Sequence, residues 1–154
     1  MGRPPSLMRL PSYLLGQVSK AGRRHLQVTL TEHSLKLPHY AVLCALSDNG
    51  PSAQQELAVG LDLDKSHIAR FVDDLSALGL VVREPDLADR RRHSVRLTDT
   101  GVKTLAELQP AADGAQAEFL SVLTAEERTT LLALLNKVLD AHDTERTSEK
   151  AATA

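Results

Sequence analysis

Apolar residues recur along most of this chain at three- and four-residue spacing, and only between about residues 80 and 97 does the spacing shorten to two. After Pro11-Ser12, a natural helix start, Leu14, Leu15, Val18, Ala21, Leu26 and Leu30 fall at mixed helical spacing, which predicts a long first helix ending near residue 31. Pro38 opens "PHYAVLCALSDNGP", where Tyr40, Leu43, Cys44 and Leu46 form a stripe and Asn49-Gly50-Pro51 a stop, so a second helix is predicted over 38–48. Ser52 is positioned to cap a short third helix, "SAQQELAVGL", with Glu56 in its early turns and Gly60 at its exit.

After the tight "GLDLD" turn, Asp64 precedes "DKSHIARFVDDLSALG". Ile68, Phe71, Val72, Leu75 and Leu78 stand there at i, i+3, i+4, i+7 and i+10, ahead of Gly79 as a C-cap; this is an amphipathic fourth helix. "LVVREP" and "HSVRLT" are short β-like runs, with Val95 and Leu97 alternating against Ser94 and Arg96, and predict a hairpin whose tip is "DLADRRR". Thr98 can cap a fifth helix through Val102, Leu105, Leu108, Ala112, Phe119 and Leu120, with Pro110 a kink or entry point. Thr124 and Glu127 make a capping-box pattern ahead of a sixth helix bearing Leu131, Leu132, Leu134, Leu135, Val138 and Leu139. From His142 onward the polar sequence reads as a frayed tail, and no internal repeat is present.

The fold class expected is mainly α with a small β-hairpin wing, six helices in all. A chain of 154 residues most simply forms one domain, its core aliphatic because aromatic residues make up only 3%. The lone Cys44 excludes an internal disulfide framework, and no apolar run approaches the roughly 20 residues that span a bilayer. Without a visible signal peptide, the expected compartment is the cytoplasm. The formal charge of −2 conceals a gradient: residues 1–47 hold six basic side chains against Glu32 alone, and residues 101–154 hold five basic against nine acidic. A local basic surface for a polyanion is therefore compatible with an acidic total.

Two short helices joined by a glycine-containing turn, the second strongly amphipathic, make a helix-turn-helix, and the following ribbon makes it winged. With Ile68, Phe71, Val72 and Leu75 facing the core, Ser66 and Arg70 project oppositely, flanked by His67; these three are the candidates to reach base edges. Lys65 and the early amides of the helix suit a phosphate. Asp73 and Asp74 would be repelled by phosphates, so only the N-terminal half of the helix should enter a major groove. At the hairpin tip, Arg90, Arg91 and Arg92 suit the electronegative minor groove or its phosphates, with Asp89 orienting an arginine neighbour and Arg91 the first choice for insertion.

The stretch "DLADRRRHSVRLTDTG" resembles the wing signature of MarR-type regulators through Asp86, Asp89, Arg90, Arg91, Val95, Leu97, Thr98 and Gly101; Leu87 stands where proline is common in the family. "LDLDKSHIARFVDDLSALGLVVRE" resembles the family's recognition helix and first wing strand, and the helix order agrees from about residue 10 to 142. The resemblance implies a transcriptional regulator, usually a repressor released by a small aromatic or phenolic ligand, an oxidant or a metal. It also implies a homodimer with interlocked first, fifth and sixth helices on a palindromic double-stranded DNA operator. The organisation is then an arm over 1–10, a dimerisation region over 11–37 and 99–142, a winged helix-turn-helix over 38–98, and a flexible tail over 143–154. The family's effector cleft borders the second helix, which makes Tyr13, Arg23, His25, His39 and Tyr40 candidate ligand-binding residues, although each also suits a structural role.

No nucleophile–base pair or phosphate-cradling loop is evident, and the six histidines lack ligand spacing, so neither an enzyme nor a metal or cofactor is expected. Two readings compete: a winged-helix interaction module that does not bind DNA, and a regulator that senses oxidants through Cys44. The latter thiol, in an apolar helix with no resolving partner, reads rather as a packing residue.

Overall fold

In the computed structural model, residues 2–85 and 93–152 are described, with side chains described through 144. Pro11, with no amide hydrogen to leave unpaired, is the first residue of α1 (Pro11–Thr31), and Pro38 sits in the first turn of α2 (Leu37–Asn49) for the same reason. Gly50 leaves α2 at φ +77°, a conformation that costs glycine nothing. The chain then forms β1 (Ser52–Ala53), α3 (Gln54–Gly60), α4 (Lys65–Ala77), β2 (Val81–Pro85), β3 (His93–Leu97), α5 (Asp99–Phe119) and α6 (Ala125–Ala152).

Ser52 is not the cap of α3. It pairs with Val95 and Ala53 with Ser94, so the β2–β3 ribbon belongs to a three-stranded antiparallel sheet ordered β1-β3-β2, with β3 at its centre. Gln54 starts α3 instead, and the Glu56 carboxylate accepts the Ala53 amide at 2.8 Å. The left-handed residue of the turn into α4 is Asp62, at φ +51°, rather than a glycine. Asp64 occupies the N-cap position of α4 without a side-chain capping bond; its carboxylate lies 3.9 Å from His67 Nδ1. Thr124 and Glu127 do cap α6 reciprocally, at 2.8 and 3.2 Å. Pro110 sits within α5 rather than at its entry, and α6 continues past His142 to Ala152, through residues with neither glycine nor proline to break it.

The chain divides into two compact units, one reaching to Gln116 and the other beginning at Ala117. The core of the first is aliphatic: Leu30, Val42, Leu43, Ile68, Leu75 and Val95 are all at most 1% exposed. Burying each such side chain stabilises the fold by about 1.5–3 kcal/mol. Ile68, Phe71, Val72 and Leu75 are the buried residues of α4, as their spacing predicts. In the second unit, α6 leaves Leu132, Leu134, Val138 and Leu139 between 53% and 59% exposed.

The "LTDTG" sequence at the end of β3 ties the ribbon to α5. Thr98 Oγ1 donates to the Gly79 carbonyl at 2.6 Å and accepts the Gly101 amide at 3.0 Å, while the Thr98 amide donates to the Leu80 carbonyl at 3.0 Å. Gly101 is needed because a Cβ there would stand 2.0 Å from Leu80 O. Gly79, at φ +70°, turns the chain so that its carbonyl and that of Leu80 meet this knot.

Candidate nucleic-acid interface

Burial of one stripe of α4 fixes what the other face presents. Lys65, Ser66, His67 and Arg70 are all exposed on the N-terminal part of the helix, as the spacing predicts. Lys65 Nζ donates to Gln55 Oε1 of α3 at 3.3 Å. The Arg70 guanidinium lies 5.3 Å from the centroid of the Phe71 ring, and the His67 ring is 6.3 Å from the same centroid. Phe71 thus supports both side chains from beneath, limiting the freedom that two exposed residues would otherwise lose on meeting a ligand.

The carboxylates of the second half of α4 are not bare negative charge. Asp73 Oδ1 accepts from Arg83 Nη2 of β2 at 2.6 Å, and Asp74 Oδ2 is 3.2 Å from His39 Nε2 of α2. Sequence spacing had no access to either pairing, since their partners lie ten and 35 residues away. Across the ribbon, Arg96 grips Glu84 through two hydrogen bonds, one of 2.8 Å from Nε, and the interaction holds the Glu84 carboxyl below the usual carboxylate range. Asp89, Arg90, Arg91 and Arg92, together with Asp86 and Leu87, lie outside the described residues.

The five side chains expected at a ligand cleft do not together line either of two cavities among the described residues. His39 is only 4% exposed: Nδ1 accepts the Lys36 amide at 3.2 Å, Nε2 faces Asp74, and the ring meets Phe71 edge-on at 5.6 Å. Its hydrogen bonds hold α2 to α4, which is a structural use. Tyr40 is half-buried one turn from Cys44; burial, then the neighbouring thiol, pushes its hydroxyl up to about 12. Burial likewise raises the Cys44 thiol, the Tyr40 hydrogen bond only partly opposing it, so the thiolate needed for oxidant chemistry is disfavoured. Cys44 also borders a cavity of about 680 Å³ between α2 and α3, walled by Ala45, Leu57 and Leu61 with Asp48 and Glu56 at its edge. Arg23, by contrast, lines a groove of about 580 Å³ with Lys20, Arg24, Gln27, Leu37 and Pro38. Tyr13 and His25 belong to the same helix but not to that groove's lining. Lys20, Arg24, Leu37 and Pro38 are groove residues that sequence reasoning missed; the i, i+3, i+4 spacing of Lys20, Arg23 and Arg24 was the available sign.

Comparison with known proteins agrees with this geometry. The MarR family model matches residues 33–92, which run from the end of α1 into the segment between β2 and β3. The HTH-type transcriptional repressor NicR of Pseudomonas putida is 35% identical over 127 residues, spanning 80% of this chain and 80% of the repressor. Among solved structures, Bordetella bronchiseptica BpsR, described with regulation of its DNA binding by 6-hydroxynicotinic acid, superposes with a TM-score of 0.79 at 26% identity, covering 91% of this chain and 99% of BpsR. A mutant E. coli MarR complexed with operator DNA gives a TM-score of 0.78 at 27% identity, covering 89% of this chain and 99% of the other. On the sequence match, the shared architecture and the capped helix-turn-helix with its ribbon, the chain belongs to the MarR family of winged helix-turn-helix transcriptional regulators.

Proposed function

We propose that the chain is a sequence-specific double-stranded-DNA-binding regulator, a homodimeric repressor of a palindromic operator that a small anionic aromatic ligand releases. The observation that carries this reading is the exposed row Lys65, Ser66, His67 and Arg70 on α4, opposite a fully buried stripe and beside a braced ribbon. In this reading the N-terminal half of α4 enters the major groove. Lys65 and the first amides hold a phosphate, while Ser66, His67 and Arg70 meet base edges, an arginine being able to grip guanine through two bonds. Arg91, with Arg90 next to it and Asp89 orienting the turn, enters the minor groove; Arg92 stays at the phosphates. The chain acts by binding rather than by catalysis, in the cytoplasm where operator DNA resides, and none of the described helices is long and apolar enough to cross a membrane.

The exposed leucines and valine of α6 supply an apolar surface for a second copy. For the effector, the groove beside Arg23 combines three cations with the apolar Leu37 and Pro38, a match for a ring bearing a carboxylate or phenolate. BpsR is described with 6-hydroxynicotinic acid, a ligand of that chemistry. Release follows if the ligand favours a dimer in which the two recognition helices no longer match successive major grooves.

Electrophoretic mobility shifts on the intergenic DNA beside the chain's own gene test the proposal. A shift that is weakened by Arg91→Ala and reversed by 6-hydroxynicotinate or a related phenolic acid is the expected result. No shift even at low salt would leave only the interaction-module reading standing.

A further inference from the structure

Arg83, the middle residue of β2, touches more of the helix-turn-helix than any motif in the sequence indicates. Its Nη2 donates to Asp73 Oδ1 at 2.6 Å and lies 3.4 Å from the Ala69 carbonyl, both on α4. Gln54, the first residue of α3, completes the set: with its carboxamide oxygen turned toward the guanidinium it accepts from Nε at 2.8 Å and Nη2 at 2.9 Å. One side chain of the ribbon therefore joins both helices of the motif, and it does so with the several in-plane donors that only arginine possesses. Its aspartate partner is on α4 one turn beyond Arg70, in the C-terminal half of the helix, which the proposed docking keeps out of the groove.

We propose that Arg83, held by Asp73, is a positioning residue for DNA binding: it fixes the β2–β3 ribbon at one angle to the recognition helix so that both meet the duplex together. This role rests on the DNA-binding reading above. The side chains of Arg83 and Asp73 are 33% and 66% exposed, so their ion pair adds little to the stability of the fold. What it adds is register. A ribbon free to swing from α4 pays for its ordering when DNA binds, and affinity falls although no base or phosphate contact has been deleted.

The sign of one substitution separates this role from simple electrostatics. If Asp73 were only negative charge near a polyanion, Asp73→Asn would tighten DNA binding. If it anchors Arg83, the same change weakens binding despite removing a repulsive charge. Arg83→Lys keeps the charge but cannot span Asp73, Ala69 and Gln54 together, and should weaken binding similarly.

The test is fluorescence anisotropy on a labelled duplex from the chain's own intergenic region, using full-length wild type, Asp73→Asn, Arg83→Lys and the double variant. All are measured at a temperature where circular dichroism shows each one folded. We expect about a tenfold loss of affinity for each single variant and no further loss in the double variant, since both break one joint. Wild-type or tighter binding by Asp73→Asn, wild-type binding by Arg83→Lys, or additive losses in the double variant would each overturn the role while leaving the DNA-binding reading intact. Failure of the wild type itself to bind would overturn both.

Discussion

Replacing Gly101 by alanine adds a single methyl group at the point where α5 passes the start of β2. The new Cβ would stand 2.0 Å from Leu80 O, 3.0 Å from Leu80 C and 3.4 Å from Leu80 Cα. An ordinary carbon–oxygen contact is wider by about an ångström, so either α5 or the Gly79–Leu80 turn must withdraw. Both are backbone, and withdrawal stretches three hydrogen bonds centred on Thr98: its amide to Leu80 O, its hydroxyl to Gly79 O, and the Gly101 amide to its hydroxyl. Overpacking of this kind costs about 1–3 kcal/mol, and each hydrogen bond lost adds about 1 kcal/mol. Alanine regains about 1 kcal/mol through its better helix propensity. With two of the three bonds lost and the third only lengthened, the net loss expected is about 2–4 kcal/mol, a shift of roughly 4–16 °C in the melting midpoint for a chain this size. Urea unfolding followed by circular dichroism, at one fixed protein concentration because an oligomer's stability depends on it, measures the change. Gly114→Ala in the same helix is the control: among the described residues no atom outside its own stretch of helix lies within 4 Å of its Cβ position, so it should be neutral or stabilising by up to about 1 kcal/mol. A Gly101→Ala midpoint equal to that of the wild type would refute the close-approach explanation of this glycine.

Leu75→Ala, at a side chain with 0% exposure in the centre of the α4 stripe, should cost about 2–5 kcal/mol in the same unfolding assay. The raised Tyr40 pKa makes stability pH-dependent with a definite sign. Its folded value of about 12 exceeds the ordinary 10.0, so its contribution is intact below pH 10 and is lost as pH rises toward 12. Tyr40→Phe should flatten that alkaline decline, and an unchanged decline would count against burial as its cause. Because burial also raises the Cys44 thiol, a thiol reagent at pH 7 should label it far more slowly than the unfolded chain, and Cys44→Ser should bind DNA with its response to peroxide unaltered from the wild type. Equal labelling rates in the two states would revive the redox reading.

How legible this fold was in its sequence depended on the reach of the interactions involved. The stripe on α4 repeats within two turns, so its buried and exposed faces follow from spacing alone, and Lys65, Ser66, His67 and Arg70 emerge exposed as that spacing requires. Ser52 and Ala53 give no strand signal because two residues carry no period; only pairing with Val95 and Ser94, some forty positions later, makes them a strand. The pairing of His39 with Asp74 is invisible in the sequence because the two stand on different helices, 35 residues apart, so the spacing shows an unassigned histidine and a bare negative charge. Thr98 and Gly101 stood out as a motif, but the physical need for them, a hydroxyl bridging Gly79 and a carbonyl pressed against a missing Cβ, belongs to the tertiary structure. At the end of α6 polar composition predicts fraying, whereas the helix continues to Ala152 through a stretch in which Glu, Arg, Lys and Ala outnumber the weaker helix formers.

The central claim, that the N-terminal half of α4 reads DNA sequence, is tested most directly by the affinity of wild type and Arg70→Ala for the intergenic duplex against an unrelated duplex of equal length at near-physiological salt. The account predicts that wild type prefers the intergenic duplex by about a thousandfold or more, and that Arg70→Ala loses roughly 1–3 kcal/mol on it while changing little on the unrelated one. Equal wild-type affinity for both duplexes, or an Arg70→Ala variant that still discriminates as well as the wild type, would contradict it.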